Sequence, residues 1–84
     1  MSDNGKRIEV RALMSGVFYR KPGPDAPPYV EVGDQVKKKQ VLALLETMKV
    51  FQKVKSPSAG IVLEIAAENE TPVKDGDLMF VIKA

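Results

Sequence analysis

Met48 and Lys49 fall where two apolar-alternating segments must turn back on each other, between Leu45 and Val50. A tight hairpin at that point would ordinarily use Asn-Gly or Asp-Gly, because both central residues of the favoured turn take positive φ. Met48-Lys49 helps the turn at neither position, and such a departure from local preference is expected where function outweighs folding convenience. A lysine at a projecting tip offers an exposed primary amine, protonated at rest with an unperturbed pKa of about 10.4. It becomes a nucleophile only when a second protein deprotonates it, so the chemistry it fits is selective acylation by another enzyme. Lys49 is one of ten lysines, and most lysines are plain solvated surface residues. Its place at the tip is what sets it apart. Met48 adds a soft apolar neighbour of the kind useful beside an apolar prosthetic arm.

Little else in the composition can do chemistry. Cys and His are both absent, which removes disulfides, thiolate nucleophiles, the commonest zinc ligands and the side chain best suited to proton transfer near neutral pH. No metal is expected and no catalytic residue is assigned. With 84 residues the chain is below the usual domain size, so one unit with a small core is expected and no deep cleft. It is 44% hydrophobic and 29% charged, with no run of eighteen apolar residues, which points to a globular chain rather than a membrane span. Formal charge is only +2, with 11 acidic residues interleaved among the basic ones, so nothing argues for a nucleic-acid partner. The N-terminal stretch MSDNGKRIEV is polar and lacks the apolar core of a secretory signal. A cytoplasmic setting, with a plastid as the other option, is therefore expected.

The elements that must hold Lys49 are strands. Short aliphatic and β-branched runs lie at Ile8 to Met14, Val41 to Glu46, Val50 to Lys55, Ile61 to Ile65 and Leu78 to Ile82. In the fourth of these, Ile61, Leu63 and Ile65 alternate with Val62 and Glu64, the period of two that marks a half-buried strand. No segment has helical periodicity. Gly16, Gly33, Gly60, Gly76, Pro57 and Pro72 stand at the breaks, where turns need positive φ or a fixed negative one.

An internal repeat organises these runs. Val10 to Gly16 matches Val54 to Gly60 at a separation of 44, and Val36 to Leu45 matches Val73 to Ile82 at a separation of 37. The first half thus carries seven extra residues between Gly16 and Val36. The stretch Lys21 to Pro28, with Gly23 and four prolines, cannot sit inside a sheet and is expected as a protruding loop. Two like halves, neither able to bury its apolar face alone, predict an all-β fold: a flattened β-barrel or sandwich of two antiparallel sheets with quasi-twofold symmetry. Residues 1–7 are read as a flexible N-terminal segment and 8–84 as the domain. Because Glu46 corresponds to Lys83 and Val54 to Val10, the Thr47 to Phe51 hairpin should lie at the opposite end from both termini.

Glu46-Thr47-Met48-Lys49-Val50 resembles the Met-Lys-Met hairpin of the biotinyl/lipoyl attachment family, with Val50 where biotin carriers usually have a second Met. Pro57-Ser58-Ala59-Gly60 and Val73 to Leu78 resemble the strands and turns that follow it. Met14 to Arg20, Pro24-Asp25-Ala26 and Val30 to Asp34 are similar to the thumb segment of acetyl-CoA carboxylase biotin carriers, so Lys21, Pro22, Gly23 and Pro24 are thumb positions. The resemblance covers the chain from Ile8 onward. It implies biotin attached covalently to Lys49 by a biotin protein ligase that reads Glu46, Thr47, Met48 and Val50. It further implies a non-catalytic carrier shuttling carboxybiotin from a biotin carboxylase to a carboxyltransferase, for acetyl-CoA carboxylation in fatty-acid synthesis.

Two other readings compete. A lipoyl carrier has the same fold, but its hairpins typically read Asp-Lys-Ala, against which Met48 argues. A small basic β-barrel could bind single-stranded nucleic acid through Lys37, Lys38, Lys39, Lys53 and Lys55, with Phe18, Tyr19 and Phe51 as stacking platforms. Lys37 to Lys39 occupy the turn equivalent to Lys74-Asp75-Gly76, which a solvated turn explains equally well.

Overall fold

The alternating and aliphatic runs fold as strands, in an order that follows the repeat. The computed structural model describes residues 6–48 and 50–84. Its strands are β1 (Arg7–Arg11), β2 (Gly16–Tyr19), β3 (Gln35–Val36), β4 (Val41–Glu46), β5 (Phe51–Lys55), β6 (Gly60–Ile65), β7 (Thr71–Val73) and β8 (Leu78–Lys83). They form two four-stranded antiparallel sheets, ordered β1-β8-β6-β3 and β5-β4-β2-β7. The repeat carries the first order onto the second strand by strand, and each half gives strands to both sheets. The sheets do not close on each other, so the molecule is an open sandwich rather than a barrel. Of the expected flexible segment 1–7, residues 1–5 lie outside the described residues, while Arg7 already pairs with Lys83 in β1.

The backbone repeats the symmetry bond for bond. Ala12 N–H donates to Asp77 O, and its counterpart Ser56 N–H donates to Gln40 O. Gly76 N–H donates to Ala12 O, as Lys39 N–H does to Ser56 O. Gly33 N–H reaches Val62 O where Glu70 N–H reaches Phe18 O. Each pair of turns needs a residue at positive φ. Glycine supplies it once in each, at Gly76 (92°) and Gly33 (95°), while Lys39 (73°) and Glu70 (63°) adopt it against the preference of side chains with a Cβ. Because Phe18 matches Val62 at 44 and Gly33 matches Glu70 at 37, the seven extra residues lie between Tyr19 and Val32.

Between the sheets lies one core cluster that includes Val10, Phe18, Leu42, Ala43, Leu45, Val62, Met79, Phe80 and Ile82. Phe18 from β2 meets Phe80 from β8 with ring centroids 5.7 Å apart and planes tilted by 54°, within the range where aromatic pairs attract. The symmetry is broken in volume: Val62 stands opposite Phe18 in the repeat and Ala43 opposite Phe80. Large rings therefore occupy two non-equivalent places and the small residues make room. β8 buries Met79, Phe80, Val81 and Ile82 in succession, the pattern of a strand covered on both faces.

β8 also fixes where the hairpin lies. Lys74, just before β8, shares a surface groove with Thr47 and Met48 at the hairpin end. From Leu78 the strand runs to Lys83, about 16 Å at roughly 3.3 Å per residue, and there pairs with Arg7 beside the Ala84 N–H to Lys6 O bond. The neck of the hairpin and the pairing of Lys6 and Arg7 with Lys83 and Ala84 are at opposite poles.

Two substitutions test this backbone accounting. A Cβ at Gly60 would collide with the Lys83 carbonyl, just as one at Gly16 would collide with that of Glu46. Gly60→Ala should therefore cost about 1–3 kcal/mol, the usual penalty for overpacking. Lys39→Gly relieves a left-handed side-chain residue and should leave stability unchanged or raise it by up to about 1 kcal/mol. Urea unfolding midpoints of the two variants, moving in opposite directions or with only Gly60→Ala shifting, would bear this out.

Candidate functional site

The hairpin between β4 and β5 is clamped at its neck. Glu46 pairs with Phe51 as the last rung of the ladder, and beyond it Thr47 N–H donates to Val50 O at 2.9 Å while the Thr47 hydroxyl donates to the same carbonyl at 3.2 Å. This leaves two residues for the turn itself, as the sequence predicts. Met48 is 98% exposed and Val50 54%. Lys49, the residue between them, lies outside the described residues.

Glu46 has a fixed partner. The Tyr19 hydroxyl donates to Glu46 Oε1 at 2.9 Å, and the Tyr19 ring lies 5.8 Å from that of Phe51, tilted by 58°. Strand alternation explains the meeting, since Tyr19, Leu44, Glu46 and Phe51 all fall on the outer face of their sheet, opposite the buried Phe18 and Leu45. The hydrogen bond to Glu46, with burial and then the charges of Glu46 and Glu70, raises the Tyr19 phenol above its usual 10.0. It stays protonated, and hence a donor, throughout the physiological range. Nothing in the sequence marks Tyr19 and Phe51 as partners of Glu46. Their contact with Glu46 depends on the β2–β4–β5 register, which no local pattern reveals.

The extra loop lies next to this face. Its neck is tied by Tyr29 N–H to Arg20 O at 2.9 Å, by the Arg20 guanidinium to Val30 O and Glu31 Oε1 at 3.0 and 2.9 Å, and by Arg20 N–H to Asn69 Oδ1 at 2.8 Å. Lys21, Pro22, Gly23 and Pro24 wall one side of a groove of about 180 Å³ whose other side is Tyr19, Leu44, Phe51, Asn69 and Glu70. The Lys21 ammonium makes a long 3.5 Å contact to Pro24 O. All four thumb positions singled out in the sequence therefore line one groove, which also touches Phe51, two residues beyond Lys49. Asn69 and Glu70 were not anticipated, because they reach the groove from the turn before β7.

The groove combines two kinds of surface. Prolines and aromatic rings give it apolar walls, and Asn69 and Glu70 give it a polar edge. Among the described residues no group of His, Cys, Asp and Glu could hold a metal ion. No helix among them is long and apolar enough to cross a membrane. Of the residues named for a nucleic-acid surface, Tyr19, Phe51 and Lys53 share the outer face of their sheet, whereas Phe18 is fully buried and Lys37 to Lys39 form the turn before β4, at the far end of the β4–β5 ladder from Phe51.

Comparison with known proteins agrees with this geometry. The chain is 42% identical over 74 residues to the biotin carboxyl carrier protein of acetyl-CoA carboxylase from Streptococcus pyogenes serotype M6, covering 88% of this chain and 45% of that protein. It is also 42% identical over 74 residues to the chloroplastic biotin carboxyl carrier protein of acetyl-CoA carboxylase 1 from Arabidopsis thaliana, covering 88% of this chain and 26% of that one. The chain thus spans less than half the length of these relatives. The urea carboxylase of Kluyveromyces lactis superposes with a TM-score of 0.76 at 24% identity, over 98% of this chain and 7% of that structure, a likeness of fold. The model of the family described as biotin-requiring enzyme matches residues 8–82, both sheets and the hairpin included, and the chain belongs to that family.

Proposed function

We propose that this chain is a biotin carboxyl carrier, biotinylated on Lys49, that serves an acetyl-CoA carboxylase. The observation that carries the reading is the clamped two-residue turn, which holds the neighbours of Lys49 in water at one pole of a rigid sandwich. The relatives named for acetyl-CoA carboxylase support the choice of acceptor, and their bacterial and chloroplast sources support a cytoplasmic or plastid setting.

The bond-forming step uses only the amine of this chain. A biotin protein ligase removes a proton from the Lys49 ammonium, the freed Nζ attacks the acyl carbon of biotinyl-AMP, and an amide forms as AMP leaves. Met48, Thr47, Val50 and Glu46 are the side chains such a ligase would read. When attached, biotin supplies a ureido nitrogen that takes up and gives away a carboxyl group. The residues of this chain contribute position, not catalysis. A group tethered at the pole is presented to a biotin carboxylase and then to a carboxyltransferase at a local concentration of about millimolar, the range for short flexible tethers. The groove between Tyr19, Phe51 and thumb residues Lys21, Pro22, Gly23 and Pro24 gives the ring system a resting place between visits.

The contact of Tyr19 with Glu46 stiffens the stem below the turn. Because the phenol holds its proton more tightly in the folded chain than in the unfolded one, its stabilising effect is full below the ordinary tyrosine range. It fades as pH rises through the folded-state value.

Two measurements follow. Incubation with biotin, ATP and a biotin protein ligase should add one biotinyl group to the intact mass, and Lys49→Ala should add none; a folded wild-type chain that gains nothing would sink the carrier reading. Ultraviolet titration should place the Tyr19 phenol above 10.0, and Glu46→Gln, which removes the charge, should bring it down. An unchanged midpoint in Glu46→Gln would mean that the contact is not maintained in solution.

A further inference from the structure

The quasi-twofold provides an internal control for what the fold requires at each pole, because equivalent positions carry equivalent backbone duties. At the turn after β1, Leu13 and Met14 correspond to Pro57 and Ser58 after β5. The flanking bonds are the same in both places: Ala12 to Asp77 and Gly76 at one, Ser56 to Gln40 and Lys39 at the other. Folding therefore makes no demand for a large apolar side chain there. Yet Leu13 is 87% exposed and Met14 37%. The asymmetry continues along the hairpin, where Val50 and Phe51 stand at the places of Lys6 and Arg7, and on β7, where Pro72 stands at that of Gln35. Of the large hydrophobic side chains exposed among the described residues, Leu13, Met14, Met48, Val50 and Phe51 lie at the hairpin pole, and only Val32 and Ile61 lie elsewhere.

Single exposed hydrophobics are ordinary, but their concentration at one of two symmetry-related poles marks a surface that something covers. The pole also has relief. Ser15, Gly16 and Val17 floor a mostly apolar groove between Thr47-Met48 on one side and Pro72 to Lys74 on the other. Leu13 and Met14 lead into it, and Ser15 Oγ is bonded by the Asp75 N–H at 3.4 Å, which joins the turn after β1 to the turn before β8. Ser15, next in the chain to Met14, and Met48, next to Lys49, thus line the same groove.

Resting on the carrier reading above, we propose that this apolar collar, with Leu13 and Met14 as its outlying part, docks the enzyme that acylates Lys49. The occupant follows from where the reacting atom is. Acylation takes place on Lys49, whose chain neighbours Met48 and Val50 belong to the collar, and must begin from an uncharged amine. Covering the surroundings of a lysine with apolar surface disfavours the ammonium and eases loss of its proton. Later steps take place at the far end of the acylated arm, so the enzymes that perform them can reach it without covering the collar. Leu13 and Met14 are thereby specificity determinants some 35 residues from the hairpin in sequence, which no hairpin motif contains.

The test is steady-state biotinylation of the whole chain by a biotin protein ligase, followed by intact mass, on wild type, Leu13→Ser, the double variant Leu13→Ser/Met14→Ser, and Val32→Ser as an exposed apolar control. The double variant should lose about tenfold in kcat/KM, mostly through a raised KM for the carrier, as expected when an apolar anchor is removed from an interface. Leu13→Ser should fall between, Val32→Ser should match wild type, and urea midpoints should be unchanged. Biotinylation of the double variant at the wild-type rate overturns the proposal. So does an equal loss in Val32→Ser, or a loss that appears only in a later carboxylation assay on fully biotinylated carrier, which would assign the collar to a carboxylase component. Sedimentation showing a wild-type dimer that the double variant abolishes, with biotinylation unaffected, would assign it to a second copy. If wild type itself takes no biotin, the carrier reading fails first, an outcome separate from all of these.

Discussion

Neither half of this chain can cover its own apolar face, and the structure follows from that constraint. The contact that meets it is Phe18 against Phe80, one ring from each half and one from each sheet, with Val62 and Ala43 small enough at the matching places to let both rings in. Within each half two neighbouring strands approach closely at equivalent points, where Gly16 faces the Glu46 carbonyl and Gly60 that of Lys83. A side chain at either point would push the central strands apart, and the rings with them. The same twofold sends the β4–β5 connection to one pole and the chain ends to the other.

Much of this was legible because repeats show up as fixed separations, and separations of 44 and 37 are visible in Val10 against Val54 and Val36 against Val73. The quasi-twofold, the seven-residue insertion and the polarity of hairpin and termini all came from those two numbers. Individual strands were read less completely. The β3 strand has two residues and β7 has three, one of them Pro72, and no periodicity can declare itself over so short a length. The first apolar run extends to Met14, but β1 stops at Arg11, because Ala12 to Ser15 cross from one sheet to the other.

The site was legible in its exposed parts and hidden in its supports. Met48 and Lys49 stood out because they violate a turn preference, and the Lys21 to Pro28 stretch because it cannot be a strand. Tyr19 on Glu46, Tyr19 on Phe51 and Asn69 on the thumb neck each join residues whose meeting depends on strand register. Register is settled by the whole sheet, so these contacts carry no local signal. Lys39 and Glu70 are a related case. A glycine at their counterparts, Gly76 and Gly33, announces a left-handed turn, whereas a lysine or glutamate in the same conformation does not.

A pseudo-symmetric fold separates what folding needs from what it merely permits. Positions where the halves agree, such as Val10 with Val54, Leu45 with Ile82 and Val36 with Val73, are the core and its closures. Positions where they disagree include the thumb, the turn of Leu13 and Met14, and the Thr47 to Phe51 hairpin, whose counterpart is a pair of chain ends. All three reach the same pole or the groove beside it. Most of the exposed large apolar side chains among the described residues gather at the hairpin pole, and the other pole is left to the paired ends of β1 and β8. The rigidity of the sandwich is what permits this, because a core closed by Phe18 and Phe80 holds the hairpin in place without help from the residues at its tip.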